Sequence, residues 1–344
     1  MKRNVLITVE YDGSRFSGWQ TQPNARTVHG ELMRALGLVC GGEIRLNGTS
    51  RTDAGVHAYG QAASLTGAFG IPAERIPIAV NNLTTDVKIV TACEMDETFH
   101  ARRDAKGKTY LYRISVSGPE YEPDIFMRDY RYQLRRSETI CANSSDKLSG
   151  NYLDKPEMLS RNDLDASDKL SGNYLDKPEM LSRNDTDKLS GNRLDEIEKP
   201  SSNHLDASES QSSVYIDSRC ASSPLSIPQM REAAAELIGT HDFSSFRSAG
   251  GNPNADPVKT ISDITIRGFE SADTRGRPII EYEIRVTGDA FLYNMVRILV
   301  GTLVETGTGK RMPRDMAHTL AAKDRQAAGH TAPAAGLWLE RVYF

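Results

Sequence analysis

Asp146–Asp163 reads DKLSGNYLDKPEMLSRND, and Asp168–Asp185 repeats those 18 residues without a change. A degraded third copy begins at Asp187, and LDAS recurs at Leu164–Ser167 and Leu205–Ser208. Repeats build a solenoid only when each unit offers an apolar face for its neighbour to cover. These units are dominated by Asp, Ser, Asn and Lys. They bury too little to offset the entropy of ordering them. Residues 141–222 therefore read as a disordered polar insertion, and the 344-residue chain as a globular protein interrupted by it.

The interruption also conceals the charge balance. The formal net charge is −4, yet residues 141–222 hold 10 basic and 16 acidic residues, leaving 32 basic and 30 acidic elsewhere. The foldable part is mildly basic, which permits a polyanionic partner without requiring one. Val296–Val304 is the nearest approach to a membrane span and is too short. Met1–Asn4 leads directly into Val5–Val9, without the length or cleavage site of a signal peptide. Cys40, Cys93, Cys141 and Cys220 lie far apart, with no metal-binding spacing. Together these features place the chain in a reducing, cytoplasmic compartment, away from membranes.

On either side of the insertion the periodicity is mixed. Val5–Glu10 alternates as a half-buried strand does, and Val28, Leu32, Ala35, Leu36 and Val39 share one helical face. Further strands are expected at Gln61–Leu65, Val87–Cys93, Lys108–Ser117, Ile261–Arg267, Ile279–Val286 and Leu337–Tyr343. Helices are expected over Ala73–Asn82, Met230–Ile238 and Phe291–Glu305, the second introduced by a capping box of Ser226 and Gln229. Strands and helices do not alternate regularly, so the fold class is α+β, with helices on one face of the sheet.

Chemistry concentrates in Gly48–Ala58, GTSRTDAGVHA, which sets one carboxylate, one guanidinium and one imidazole between two strands. Taken alone, Asp53 before Ala-Gly is ordinary turn chemistry. Tyr110 taken alone is a core aromatic, Leu292 a core leucine and Arg247 a surface arginine. Gly307–Lys310 suggests a phosphate loop but follows a helix instead of preceding one. The remaining histidines and acids show no metal-ligand spacing.

RTDAGVHA at Arg51–Ala58 resembles the signature of the TruA family of tRNA pseudouridine synthases. The resemblance continues in order through Tyr11–Gly13, Phe16–Gln20, Phe99–Arg102 with Lys108–Tyr110, His241–Arg247, Phe291–Arg297 and Gly329–Trp338. Only the insertion falls outside it. Ser50 stands where the family usually carries Gly, and Arg103 where it usually carries an aromatic residue.

The resemblance implies a pseudouridine synthase fold: two ferredoxin-like or RRM-like halves, a mostly antiparallel mixed sheet, and a central cleft. It implies an N-terminal domain of residues 1–105 carrying the Asp loop, and a C-terminal domain of residues 106–344 interrupted by the insertion. The implied activity is isomerisation of uridine to pseudouridine at positions 38–40 of the tRNA anticodon stem-loop, by a homodimer without cofactor or metal. Asp53 is the implied nucleophile, Arg247 its positive partner, and Tyr110 the residue that stacks on the target base and assists proton removal at C5. Leu292 would wall the base, and Arg51 would contact phosphate or hold the flipped nucleotide. His57 would lie beside the substrate, with a structural hydrogen bond as its simpler role. Arg102, Arg103, Lys106, Lys108 and Arg297 are candidate phosphate contacts. The alternative is a tRNA-binding protein or RNA chaperone of the same fold without catalysis, although pure binding does not require a nucleophile.

Overall fold

In a computed structural model, which describes residues 2–118, 122–135 and 224–344, the first strand already commits one face to the core. β1 (Arg3–Tyr11) buries Val5, Ile7, Val9 and Tyr11, the alternation its sequence announces. The whole repeat insertion at 141–222, with Cys141 and Cys220, lies outside the described residues.

After β1 come α1 (Val28–Cys40), β2 (Ile44–Gly48), β3 (His57–Gly67), α2 (Ile76–Asn81) and β4 (Val87–Glu94). The chain continues through β5 (Gly107–Ser117), β6 (Tyr132–Arg135), α3 (Ile227–Ala235), β7 (Gly239–Asp242), β8 (Val258–Ala272) and β9 (Pro278–Gly288). It ends with α4 (Met295–Gly307), α5 (Asp315–Ala322) and β10 (Leu337–Tyr343). The strands form one sheet in the order β4-β1-β3-β10-β5-β9-β8-β7, with β2 added on β3 and β6 on β5. This is an open α+β sheet, antiparallel except where β10 meets β3 and β5 meets β6.

The last strand does the joining. β10 pairs in parallel with the start of β3, at Trp338–His57 and Leu339–Ala58, and antiparallel with β5 from Leu337–Tyr112 to Tyr343–Gly107. Strands before and after residue 105 thus share one sheet. The Asp53 loop, at the entry to β3, lies two strand spacings from Tyr110 on β5, about 10 Å across the sheet.

Three local expectations are corrected. A 3-10 turn at Ala73–Arg75 precedes α2, so the helix expected from Ala73 begins at Ile76. Ser226 is the N-cap of α3, but its side chain accepts no capping hydrogen bond, and Pro228 in the first turn sets the helix start instead. Helix α4 begins at Met295, four residues later than its periodicity suggests, and leaves Phe291–Asn294 as a turn. Gly301 lets α4 approach the chain before β10. A Cβ there would sit 1.9 Å from the His330 carbonyl oxygen, so no larger residue fits without displacing that segment.

Candidate active site

The loop between β2 and β3 is held from several sides. Thr49 N–H donates to the Ala62 carbonyl at 2.8 Å, prolonging the strand pairing by one residue. The buried Gln61 side chain then clamps Ser50: Oε1 accepts from the Ser50 N–H at 3.3 Å, and Nε2 donates to its carbonyl at 2.8 Å. Thr52 Oγ1 and the Tyr11 hydroxyl are 2.7 Å apart, and Trp19 N–H donates to the Thr52 carbonyl at 3.0 Å. Gly48 lies against the indole of Trp19, where a Cβ would come within 2.5 Å of the ring. Gly55, with φ of 77°, then turns the chain so that Val56 N–H returns to the Asp53 carbonyl at 3.2 Å. The turn that Asp53-Ala-Gly suggests does form, and it presents the carboxylate outward instead of spending it on local amides.

Asp53 opens into a cavity of about 890 Å³. Its Oδ2 lies 3.5 Å from Nη1 of Arg297, which α4 brings across the sheet. Burial pushes the Asp53 carboxyl upward, and the Arg297 guanidinium opposes that shift. Arg297, expected on phosphate, is the cation paired with Asp53, while Arg247, the expected partner, lines the same cavity without an ion pair to Asp53 among the described residues.

Tyr110 is buried in the middle of β5, its ring perpendicular to Phe291 with centroids 5.1 Å apart. Its phenol is pushed up to about 12, first by burial, against a lowering contact from the Ser50 side chain, with the Asp53 charge adding to the rise. The Ser50 hydroxyl itself has no partner in good hydrogen-bonding geometry. A phenol so shifted keeps its proton near neutral pH, which suits stacking and donation better than base chemistry. Leu292 is buried in the cavity wall.

Arg51, Arg102, Lys108 and Arg247 complete the charged lining, with Asp289 as the acid besides Asp53. Lys108 is pushed down by burial and by the charge of Arg102, and Arg102 by burial and by Arg51. Arg102 therefore lies close enough to repel both Lys108 and Arg51, and Asp289 opposes part of the effect at Lys108. Arg103 and Lys106 are exposed and do not line the cavity.

His57 takes the simpler of its two expected roles: it is fully buried, outside the cavity lining and held by structural hydrogen bonds. Its Nδ1 accepts from the Gly13 N–H at 3.0 Å, which leaves the proton on Nε2 to donate to the Asp129 carbonyl at 2.7 Å. Burial lowers its pKa and keeps the ring neutral.

The arrangement offers an ionisable carboxylate beside a guanidinium, an apolar wall with a phenol, and a rim in which cations outnumber the acid Asp289. It suits an anionic substrate with a planar group to be held. Among the described residues, no three His, Cys, Asp or Glu side chains gather as a metal-binding group.

A sequence model for the family described as tRNA pseudouridine synthase matches residues 7–103 and 233–344. Asp53, Arg102, Arg247 and Arg297 lie inside those segments, and Lys108 and Tyr110 fall between them. A curated relative from Acetivibrio thermocellus, tRNA pseudouridine synthase A, is 33% identical over 99% of this chain and 100% of its own length. The protein of that name from Halalkalibacterium halodurans is 33% identical over 98% of this chain and 90% of its own. That from Bacillus subtilis is 33% identical over 99% and 98%. The match on both sides of the insertion, with full-length relatives of this kind, shows that the chain belongs to the TruA family of tRNA pseudouridine synthases.

Proposed function

We propose that this chain isomerises uridine to pseudouridine in tRNA, with Asp53 as the nucleophile. The observation that carries the residue assignment is the Asp53–Arg297 pair, set in a cavity whose other charged groups are all cationic except Asp289. The reaction breaks the bond from C1′ to N1, joins C1′ to C5, moves a proton onto N1 and releases the one on C5. It needs no external oxidant or reductant. Attack of Asp53 on C1′ and removal of the 2′ proton by Asp53 both start from the carboxylate, and Arg297 favours that form. Tyr110 and Leu292 bracket the uracil while it is detached from the sugar.

The target is a uridine of the anticodon stem-loop at positions 38–40, an assignment that rests on the family resemblance. Extracting a stacked base costs a few kcal/mol. Arg51, Arg102 and Lys108 line the cavity and offer phosphate contacts that offset it. A homodimer holding tRNA across both subunits rests on the same resemblance. A cytoplasmic setting rests on the scattered cysteines; among the described residues, no helix is long and apolar enough to cross a membrane.

The test is tritium release from tRNA labelled at C5 of uridine, with the product position mapped. Release with pseudouridine in the stem-loop is expected. Tight binding without release would establish the non-catalytic alternative, and product elsewhere would overturn the positional assignment. A second expected outcome concerns the rim. Arg102→Ala combined with Lys108→Ala should raise KM for tRNA by roughly tenfold or more near 0.1 M salt. It should also flatten the salt dependence by about 0.7–0.9 for each phosphate left unneutralised. An unchanged salt slope would remove both residues from the RNA interface.

A further inference from the structure

The turn before α4 ends in an uncommon backbone. Asn294 has φ 59° and ψ 8° in the left-handed region, which Asn tolerates better than most residues with a side chain. An Asn at a helix start ordinarily caps the first N–H groups, but this side chain makes no cap bond. Its Oδ1 instead accepts from Nη1 of Arg297 at 2.9 Å. That same nitrogen faces Asp53 at 3.5 Å. At the other end of the guanidinium, Nε donates to the Ala332 carbonyl at 2.7 Å, and the Ala332 N–H returns to the Arg297 carbonyl at 3.1 Å. Two protein acceptors thus fix the guanidinium plane. Without Asn294, the Nη1 end would have only the longer contact to Asp53.

We propose that Asn294 is a positioning residue whose side-chain oxygen, presented by a left-handed backbone, aims Arg297 at Asp53 and so sets how readily that carboxylate ionises. The proposal rests on the reading of Asp53 as the nucleophile. Asp53 faces Arg297 from α4 and the Tyr110 phenol from β5. Arg51, Arg102, Lys108, Arg247 and Asp289 share its cavity. Of these, Arg297 is the cation in direct contact, so its aim has the largest effect on the Asp53 charge. Burial raises the carboxyl, and a poorly aimed Arg297 would leave more of that rise unopposed. Activity would then fail at a higher pH on the acid side.

Two variants separate positioning from simple turn formation. Asn294→Gly accepts the left-handed backbone and deletes the amide. Asn294→Asp keeps an oxygen in place and adds a charge that competes with Asp53 for Arg297. Single-turnover tritium release by the full-length enzyme, at saturating tRNA from pH 5 to 9, reads the acid limb. Its midpoint should rise from wild type to Asn294→Gly and again to Asn294→Asp. The first step should be about half a unit, or roughly threefold in rate well below the midpoint. The rates should converge at alkaline pH, with KM for tRNA little changed. Superposed acid limbs, or a uniform loss at all pH values, would overturn the proposal. NMR titration of a ¹³C-labelled Asp53 carboxyl in the three proteins should give the same order without turnover. A wild type that releases no tritium would defeat the nucleophile reading, while the titration would still decide the role of Asn294.

Discussion

Asp53→Asn is expected to lower tritium release by about 10⁴-fold or more, with tRNA affinity within a few-fold of wild type. The size follows from what each group contributes. On the proposed assignment the rim cations and the Tyr110–Leu292 wall bind and orient the nucleotide, and the substitution leaves them in place. What disappears is the group proposed to attack C1′ or take the 2′ proton, and an amide does neither. Asparagine keeps an oxygen that can accept from Arg297, so the loop and the α4 contact should persist. Single-turnover rates and filter-binding affinities, measured on the same preparation, make the comparison. A rate within tenfold of wild type would exclude Asp53 from the chemistry. A parallel collapse of affinity would show instead that the site had rearranged.

His57→Ala should act on stability and leave chemistry alone. Unfolding in urea should show a loss of about 3 kcal/mol or more. The imidazole stacks on Trp338 at 4.2 Å, with Tyr130 at 5.3 Å. Its removal opens a cavity between those rings and leaves the Gly13 N–H and the Asp129 carbonyl without their partner. Because burial lowers the His57 pKa, the folded state binds fewer protons than the unfolded chain at mildly acid pH. Its contribution is therefore complete above an unfolded value near 6.5 and declines as pH falls through that value toward the folded one. The variant should lose this part of the acid sensitivity. Its rate per folded molecule should remain within a few-fold of wild type. A large rate loss at unchanged stability would return His57 to the substrate site.

These residues show where sequence reading reaches and where it stops. β10 is legible to its ends, because LWLERVY is rich in apolar, aromatic and β-branched residues and buries its Leu337–Leu339 run. The helical face of α1 is legible as well, and Val28, Leu32, Ala35 and Leu36 are all buried. β2, only five residues long, and α5 carry too little periodicity to be expected. Asp53 is visible only through the ordered motif around it, since its neighbours alone describe a turn. The choice between Arg247 and Arg297 is beyond local sequence. Each ends an aromatic-rich block, and what separates them is the path of α4 across the sheet. The start of α4 reads four residues early because Phe291 and Leu292 satisfy helical spacing, although the left-handed Asn294 ends the turn before the helix begins. His57 looks like a site residue because it is four positions from Asp53. Its actual partners, Gly13, Asp129 and Trp338, come from three distant segments whose meeting no spacing rule discloses.

Arg297 is proposed to keep Asp53 in its working ionised form. The most direct measurement compares the acid limb of single-turnover tritium release for wild type, Arg297→Met and Arg247→Met. Burial then acts on Asp53 unopposed in the Arg297 variant, so its limb should move to higher pH by about one unit or more, which is at least tenfold in rate well below the midpoint. Arg247→Met should keep the wild-type limb and lose tRNA affinity instead. A shifted limb in Arg247→Met, with Arg297→Met like wild type, would make Arg247 the partner of Asp53 instead.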